Sequence, residues 1–311
     1  MKLALSTNWC NRELDDGEAI AERALSLGFD ELELGFHTSV AQVAGFKRMR
    51  ARIPVGSIHA FCPVPVSAPQ GHPELYALAS FDEDQRALAA FHVRKNIEFA
   101  AEIGAETVVL HAGRVAFGTL FNRGFDSGTL RAALADDKAN GAKGARYQKL
   151  LARARKTRTA RGARLMPLFV AQLEALVPVL ERHRVTLALE NLPYLEGFPD
   201  EAELAALVAH FRDAPIRGWF DTGHDRVRAS FDWLSPARPA GGPSEEIFRG
   251  MHLNDVVDFD DDHLAPGDGK VDFAALATFA RRVRHVVFEP KSHVDEAHLR
   301  RGVELIRRLF T

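Results

Sequence analysis

The sequence predicts a single (β/α)8 TIM barrel, an α/β fold in which eight parallel strands close into a ring. Two observations support this prediction. Eight short apolar runs alternate with helical patterns over residues 1–311, and such alternation is typical of parallel α/β folds. Six of these runs finish on or beside a histidine or an acid, and the strand ends of a closed barrel converge on one face.

The predicted strands are short apolar runs bounded by turn signals. They are Leu3–Ser6, Glu31–Leu34, Val55–His59, Thr107–His111, Thr186–Glu190, Ile216–Asp221, Gly250–Leu253 and Val286–Glu289. Gly28 and Gly104 each follow a helical pattern and precede a strand, which is where glycine caps a helix. This repeated turn supports consecutive βα units.

The predicted helices between the strands show apolar residues at helical spacing. One such face comprises Leu204, Leu207, Val208 and Phe211, and another comprises Phe169, Leu173, Leu176 and Leu180. Pro178 interrupts the second pattern, so we expect it to kink or shorten that helix.

Residues 112–164 interrupt this alternation of strands and helices. The segment is far longer than one βα loop and the helix that follows it would require. Residues 138–164 contain ten Lys or Arg and no acid. We therefore predict a long basic insertion after the fourth strand, either a lid over the strand ends or a mobile surface segment. A stretch rich in Pro, Ala and Gly, Ser235–Pro243, predicts a second loop.

The overall charge argues against nucleic acid as a partner. Lys and Arg number 40 against 42 Asp and Glu, a net charge of −2, whereas duplex-binding proteins carry a basic excess. No stretch approaches 18 apolar residues, so no membrane span is predicted. Two cysteines and a short apolar N-terminal run predict a cytoplasmic protein. Surface helices such as 299–310 would allow two copies to pair as a homo-oligomer.

Six strand ends carry possible metal ligands. They are His59, His111, Glu190, Asp221, His252 and Glu289. An open sheet would spread these side chains too far apart to cooperate, whereas a closed barrel brings them to one rim. Burying so many ionisable groups is costly without a cation. Imidazole together with carboxylate suits zinc, manganese, cobalt or iron, so a divalent metal site is predicted.

Further candidates follow the strands. His224 stands three residues after Asp221, so both can face the same opening, where His224 would also contact a substrate. Asn254 and Asp255 follow His252 and are expected to orient it or to contact a substrate. Asp261 and His263 precede a Pro-Gly turn that can fold their loop over the rim, although alone they would fit a solvated acidic loop.

Several motifs resemble those of the xylose isomerase-like barrel superfamily. They are Leu189-Glu190-Asn191, Phe220-Asp221-Thr222-Gly223-His224, Met251-His252-Leu253-Asn254-Asp255, Asp261-x-His263, Pro266-Gly267-x-Gly269 and Phe288-Glu289-Pro290. The resemblance runs from the first strand to the last helix and is sharpest over residues 185–290. This superfamily includes sugar epimerases, hydroxypyruvate isomerase, inosose dehydratase and endonuclease IV.

The resemblance implies a ligand set of nine residues. The core ligands shared by the epimerases and the nuclease would be Glu190, Asp221, His252 and Glu289. The positions that complete a three-zinc cluster in endonuclease IV would be His59, His111, His224, Asp261 and His263. One to three divalent ions are therefore expected.

The preferred interpretation is a metal-dependent isomerase or epimerase of a sugar or sugar phosphate. Glu190 and Glu289 would remove and return a proton beside a carbonyl, through an enediolate. One alternative is a multi-zinc phosphodiesterase acting on abasic DNA, although the chain outside the basic segment carries about −12 and would repel DNA. Another is a dehydratase or biosynthetic enzyme of the same superfamily.

Overall fold

The strands follow the predicted runs closely. The computed structural model describes residues 1–117, 126–138, 143–257 and 259–310. Its strands are β1 (Ala4–Ser6), β2 (Glu31–Leu34), β3 (Val55–His59), β4 (Thr107–Leu110), β5 (Gly113–Arg114), β6 (Thr186–Glu190), β7 (Gly197–Phe198), β8 (Ile216–Asp221), β9 (Phe248–Leu253) and β10 (His285–Phe288). His111 and Glu289, predicted as the last residues of their strands, stand one position beyond β4 and β10.

Eight of these strands form a closed parallel ring in the order β1-β2-β3-β4-β6-β8-β9-β10. The ring closes where β1 pairs with β10, with Leu5 opposite Phe288. The short strands β5 and β7 pair antiparallel outside the ring. The predicted TIM barrel is thus confirmed, and the strand ends share one rim.

The interior of the barrel contains a small apolar layer. It consists of Ala4, Val109, Ala188, Trp219 and Val287. Side chains alternate between the two faces of a strand, so the residue two positions later also faces the interior, one layer closer to the rim. Four of those later residues are His111, Glu190, Asp221 and Glu289. The period of the strands therefore explains why these side chains converge.

The described helices surround the ring. They are α1 (Gly17–Ser26), α2 (Val40–Met49), α3 (Glu83–Ile103), α4 (Ser127–Lys138), α5 (Ala145–His183), α6 (Glu201–His210), α7 (Thr222–Ser230), α8 (Phe273–Ala280) and α9 (Glu296–Phe310). Gly28 and Gly104 have φ angles of 90° and 89°, the left-handed conformation expected of glycine caps. Asp200 caps α6 by accepting the backbone N–H groups of Ala202 and Glu203.

The described part of the predicted insertion is mostly helical, apart from its first residues, which include β5. Its helices are α4 and the first half of α5, and Arg158 of α5 is buried against Glu203 of α6. Helix α5 continues through Pro178 to His183, so this proline does not shorten the helix. Residues 118–125 and 139–142 lie outside the described residues. The role of the segment as a lid stays a prediction.

Helix α5 is, among the described helices, the one long and apolar enough to cross a membrane by length and composition. A core helix of a soluble protein passes the same test. Its apolar face, which includes Phe169, Leu173, Leu176 and Leu180, is buried. The burial of this face is what packing on the barrel requires.

Candidate metal centre

Four predicted ligands surround one point at the rim. Glu190, Asp221, His252 and Glu289 each offer an atom within 4.8 Å of the others. Nδ1 of His252 lies 3.1 Å from Glu190 Oε1, 3.2 Å from Glu289 Oε2 and 3.7 Å from Asp221 Oδ2. All four residues are buried. Three buried carboxylates around one imidazole nitrogen require a positive charge, so this central group fits a cation.

Glu33 holds the ring of His252 from the other side. Nε2 of His252 lies 3.0 Å from Glu33 Oε1, and the Ser57 hydroxyl donates to Glu33 Oε2 at 2.9 Å. A proton on Nε2 is donated to Glu33, which leaves the lone pair of Nδ1 directed at the three carboxylates. A carboxylate behind a ligand histidine is common at metal centres. Glu33 was not among the residues predicted from the sequence.

His59 and His111 approach Glu190 at its second oxygen. Their Nε2 atoms lie 3.1 and 3.2 Å from Glu190 Oε2, and the three side chains form a second possible ligand group. Nδ1 of His59 is 2.9 Å from the carbonyl oxygen of Ala60, to which it can donate. Glu190 is thus positioned to bridge the second group and the central group.

His224, Asp261 and His263 form a third group. Asp261 Oδ1 lies 3.1 Å from His263 Nε2 and 3.7 Å from His224 Nε2. This oxygen is buried and accepts no hydrogen bond within the described part of the chain. A buried carboxylate oxygen between two imidazole nitrogens is a position that a cation would satisfy.

Three of the histidines share one orientation. Nδ1 of His59, His224 and His263 lies 2.9, 2.7 and 2.8 Å from the backbone carbonyls of Ala60, Asn191 and Glu289, respectively. We assign the Nδ1 proton from these contacts, and each Nε2 then turns its lone pair to the rim. Neutral imidazoles and carboxylates in this arrangement fit zinc, manganese, cobalt or iron.

The histidines and carboxylates of the rim shift one another's pKa values. Burial opposes ionisation of Glu190, but His252 and His111 hold its pKa well below the ordinary value. Burial opposes protonation of His111 and His263, yet Glu190 raises the pKa of His111 to about 9, and Asp261 raises that of His263 to about 10. Protons and a divalent cation would therefore compete for the same imidazole nitrogens.

Asn254 and Asp255 are buried behind the rim. Asn254 Nδ2 donates to Asp221 Oδ2 at 2.6 Å. The Asp255 carboxylate accepts the backbone N–H groups of Val256, Gly267, Gly269 and Val271. These bonds fold back the loop that carries Asp261 and His263. The contacts favour positioning roles for both residues, and their predicted contact with a substrate stays a prediction.

The three groups open into a cavity of about 470 Å³. Its lining includes the predicted ligands His59, His111, His224 and Glu289, together with Phe36. This volume is within the range that small-molecule sites occupy.

Two residues of the cavity wall that the sequence did not indicate, Glu74 and Arg114, form an ion pair. The closest nitrogen–oxygen distance is 2.6 Å, and Arg114 stacks 3.5 Å from the Tyr194 ring centroid. Glu74 Oε1 is also 3.9 Å from His111 Nδ1. Glu74 lies in a turn and Arg114 ends the two-residue strand β5 outside the ring. Neither belongs to a recognisable motif, so no sequence signal marked them.

The fold and the rim define a TIM barrel with a candidate centre for divalent cations. The profile of the xylose isomerase-like TIM barrel family matches residues 21–309, and the chain belongs to this family. No curated protein sequence matches the chain.

Solved structures of similar fold cover almost the whole chain. A D-tagatose 3-epimerase-like protein is 18% identical, with a TM-score of 0.62 over 99% of this chain and 97% of its own. The 3-keto-D-glucoside 4-epimerase of E. coli is 16% identical, with a TM-score of 0.63 over 99% of both chains. A protein of Thermus thermophilus, soaked with ZnCl2, is 21% identical, with a TM-score of 0.58 over 99% of this chain and 98% of its own.

Proposed function

We propose that this protein is a divalent metal-dependent isomerase or epimerase of a sugar or sugar phosphate. The observation that carries the proposal is the approach of Glu190 and Glu289 to one point, 3.1 and 3.2 Å from His252 Nδ1. Glu190 ends β6 and Glu289 follows β10, so the two carboxylates come from well-separated parts of the ring. The epimerases of similar fold support a sugar as the substrate class.

Inversion at a carbon atom by proton transfer is served by two bases on opposite faces of that carbon. One of Glu190 and Glu289 removes the proton beside a carbonyl and later loses it to solvent, and the other, protonated from solvent, delivers a proton to the opposite face or the adjacent carbon. Asn8 Nδ2 holds Glu289 Oε1 at 3.3 Å, and His59 and His111 hold Glu190. A divalent cation, when held by the central group, would polarise the carbonyl and acidify the neighbouring C–H bond.

A second candidate function is a multi-zinc phosphodiesterase acting on abasic DNA. One observation favours it: all nine predicted ligands assemble into three groups. Several cations could then hold a hydroxide and a phosphodiester. A dehydratase of the same family would begin with the same proton removal as the epimerase. We place the epimerase first because the two glutamates suit proton transfer.

The test is exchange of substrate hydrogen with solvent. The protein, loaded in turn with zinc, manganese, cobalt and iron, is incubated with ketoses and sugar phosphates in D2O and followed by NMR. We expect deuterium at the carbon beside the carbonyl, and loss of exchange in Glu289→Gln. Glu296→Gln, at a partly exposed acid of α9 that pairs with Arg23, is the matched control. Incision of an abasic oligonucleotide without any exchange would replace this proposal with the second candidate.

A further inference from the structure

A second cavity, of about 820 Å³, lies at the opposite end of the barrel. Its wall includes Thr186 and Arg217 near the starts of β6 and β8, Arg249 near the start of β9, and Arg284 just before β10. The carboxyl-terminal turn of α5 completes the wall. This face of a TIM barrel ordinarily contributes to stability alone, so a large charged cavity here calls for an explanation.

Arginine dominates the lining of this cavity. Five arginines, at positions 184, 217, 249, 282 and 284, face three acids, at positions 181, 213 and 245. Arg282 is neutralised by Glu245 at 2.9 Å. Arg249 and Arg284 share the carboxylate of Glu106, with Arg249 3.6 Å from it, and Arg284 also lies 3.7 Å from Glu31 Oε2. Among the lining residues themselves, arginines outnumber acids by two.

Arg217 adds a third guanidinium to this pair. Its Nη1 donates to the carbonyls of Ala214 and Ile216, at 2.9 and 2.7 Å, and these neutral groups leave its charge uncompensated. Burial lowers the pKa of Arg249, Glu106 raises it, and the charges of Arg284 and Arg217 lower it further. All three arginines line the same cavity, so their like charges repel one another.

The buried Nε of Arg249 has no hydrogen-bond partner within the described part of the chain. A buried donor without a partner is costly, and so is the repulsion between like charges. A multidentate anion would offset the repulsion between the guanidiniums. Guanidinium groups bind phosphate through pairs of parallel N–H···O bonds, which makes phosphate the anion that best fits three of them.

We propose that this cavity binds the phosphate group of a small phosphorylated metabolite, with Arg217, Arg249 and Arg284 as its contacts. The volume admits a ligand of that class. The cavity is at the amino ends of the strands, and the candidate metal centre is at their carboxyl ends. The site therefore stands independently of the proposed function.

Isothermal titration of the full-length, metal-loaded protein with glycerol 2-phosphate at physiological salt tests this site. We expect one saturable site, weakened about tenfold or more in Arg249→Gln and in Arg217→Gln, because each removes a charge-assisted contact. Arg52→Gln, at an exposed arginine paired with Glu22, should bind as the unmodified protein does. Arg114→Gln, at the rim of the metal centre, should also leave the affinity unchanged.

Several outcomes would overturn the site. They are the absence of saturable binding, unchanged affinity in both cavity variants, or equal weakening in Arg52→Gln, which would indicate non-specific attraction. Loss of affinity in Arg114→Gln alone would place the phosphate at the metal centre instead. Circular dichroism establishes that each variant folds. Arg217→Lys keeps the charge but lacks the planar fork, so its affinity should fall between those of the unmodified protein and Arg217→Gln.

Discussion

Nε2 of His252 lies 3.0 Å from Oε1 of Glu33, across the interior of the barrel from β9 to β2. Both side chains are fully buried. This bond sets the orientation of the ring, because a proton on Nε2 leaves Nδ1 free to face the carboxylates of the central group.

Replacing Glu33 with Gln should weaken the binding of a divalent cation about tenfold or more, because the amide no longer supports the imidazole with a negative charge. Competition with a chromophoric chelator measures the affinity. Glu31→Gln is a matched control on the same strand, since Glu31 faces the other end of the barrel and pairs with Lys2 at 2.8 Å. Equal affinity in Glu33→Gln and the unmodified protein would contradict the role of Glu33.

Removing divalent cations should lower the melting temperature, since the central group places three carboxylates around one imidazole nitrogen. A cation present at about 1,000 times its Kd would contribute about 4 kcal/mol. Scanning fluorimetry before and after chelation measures the change, and mass spectrometry should count one to three ions per chain. Asp221→Asn should reduce the response to added zinc or manganese. An unchanged melting temperature after complete removal would speak against a cation centre.

Acid should destabilise the fold through His285. This residue is buried at the start of β10, with Nε2 3.0 Å from Thr107 Oγ1. Burial, then the charges of Arg284 and Arg249, lower its pKa from 6.5 to about 3. Between these pH values the unfolded chain binds a proton that the folded protein does not. The free energy of unfolding should therefore fall as the pH decreases, by about 1.4 kcal/mol per pH unit.

Urea unfolding of His285→Gln across this pH interval checks the assignment. Its free energy of unfolding should depend less steeply on pH than that of the unmodified protein, whatever the loss of stability at neutral pH. His210→Gln, at an exposed histidine of α6, serves as the control. Parallel pH dependence in His285→Gln and the unmodified protein would rule out His285 as the group responsible.

Arg158 should anchor the basic half of α5. It is 4% exposed and binds both oxygens of Glu203, at 2.5 and 2.6 Å. Arg158→Met leaves the Glu203 charge without its partner, so the free energy of unfolding should fall by about 3–5 kcal/mol. Urea denaturation measures the loss, with Lys156→Met on the exposed side of the same helix as control. Similar stabilities of the two variants would contradict the anchor.

The sequence was sufficient to predict the barrel and the meeting of its strand ends. Side chains alternate between the two faces of a strand, and Glu190 and Asp221 are the last residues of their strands. These two facts place both residues on the interior face at the rim, whatever the details of packing. The capping glycines, Gly28 and Gly104, were equally predictable because their backbone conformation depends on local sequence.

Glu33 shows what the sequence could not reveal. In Glu31-Leu32-Glu33-Leu34 the leucines alternate with glutamates, and this pattern is equally typical of a strand with one face in water. Only closure of the ring turns the glutamate face inward and brings Glu33 within reach of His252. Partners across a barrel depend on register around the whole ring, which no local pattern encodes.

The loop Ser235–Pro243 divides the rim ligands along the chain. The central group takes Glu190 and Asp221 from before this loop and His252 and Glu289 from after it. A polypeptide cut within the loop would give two fragments, neither of which contains a complete central donor set. Tight binding of a cation would then require the two fragments to associate. The ion could therefore serve as a probe of barrel assembly, in addition to any part in catalysis.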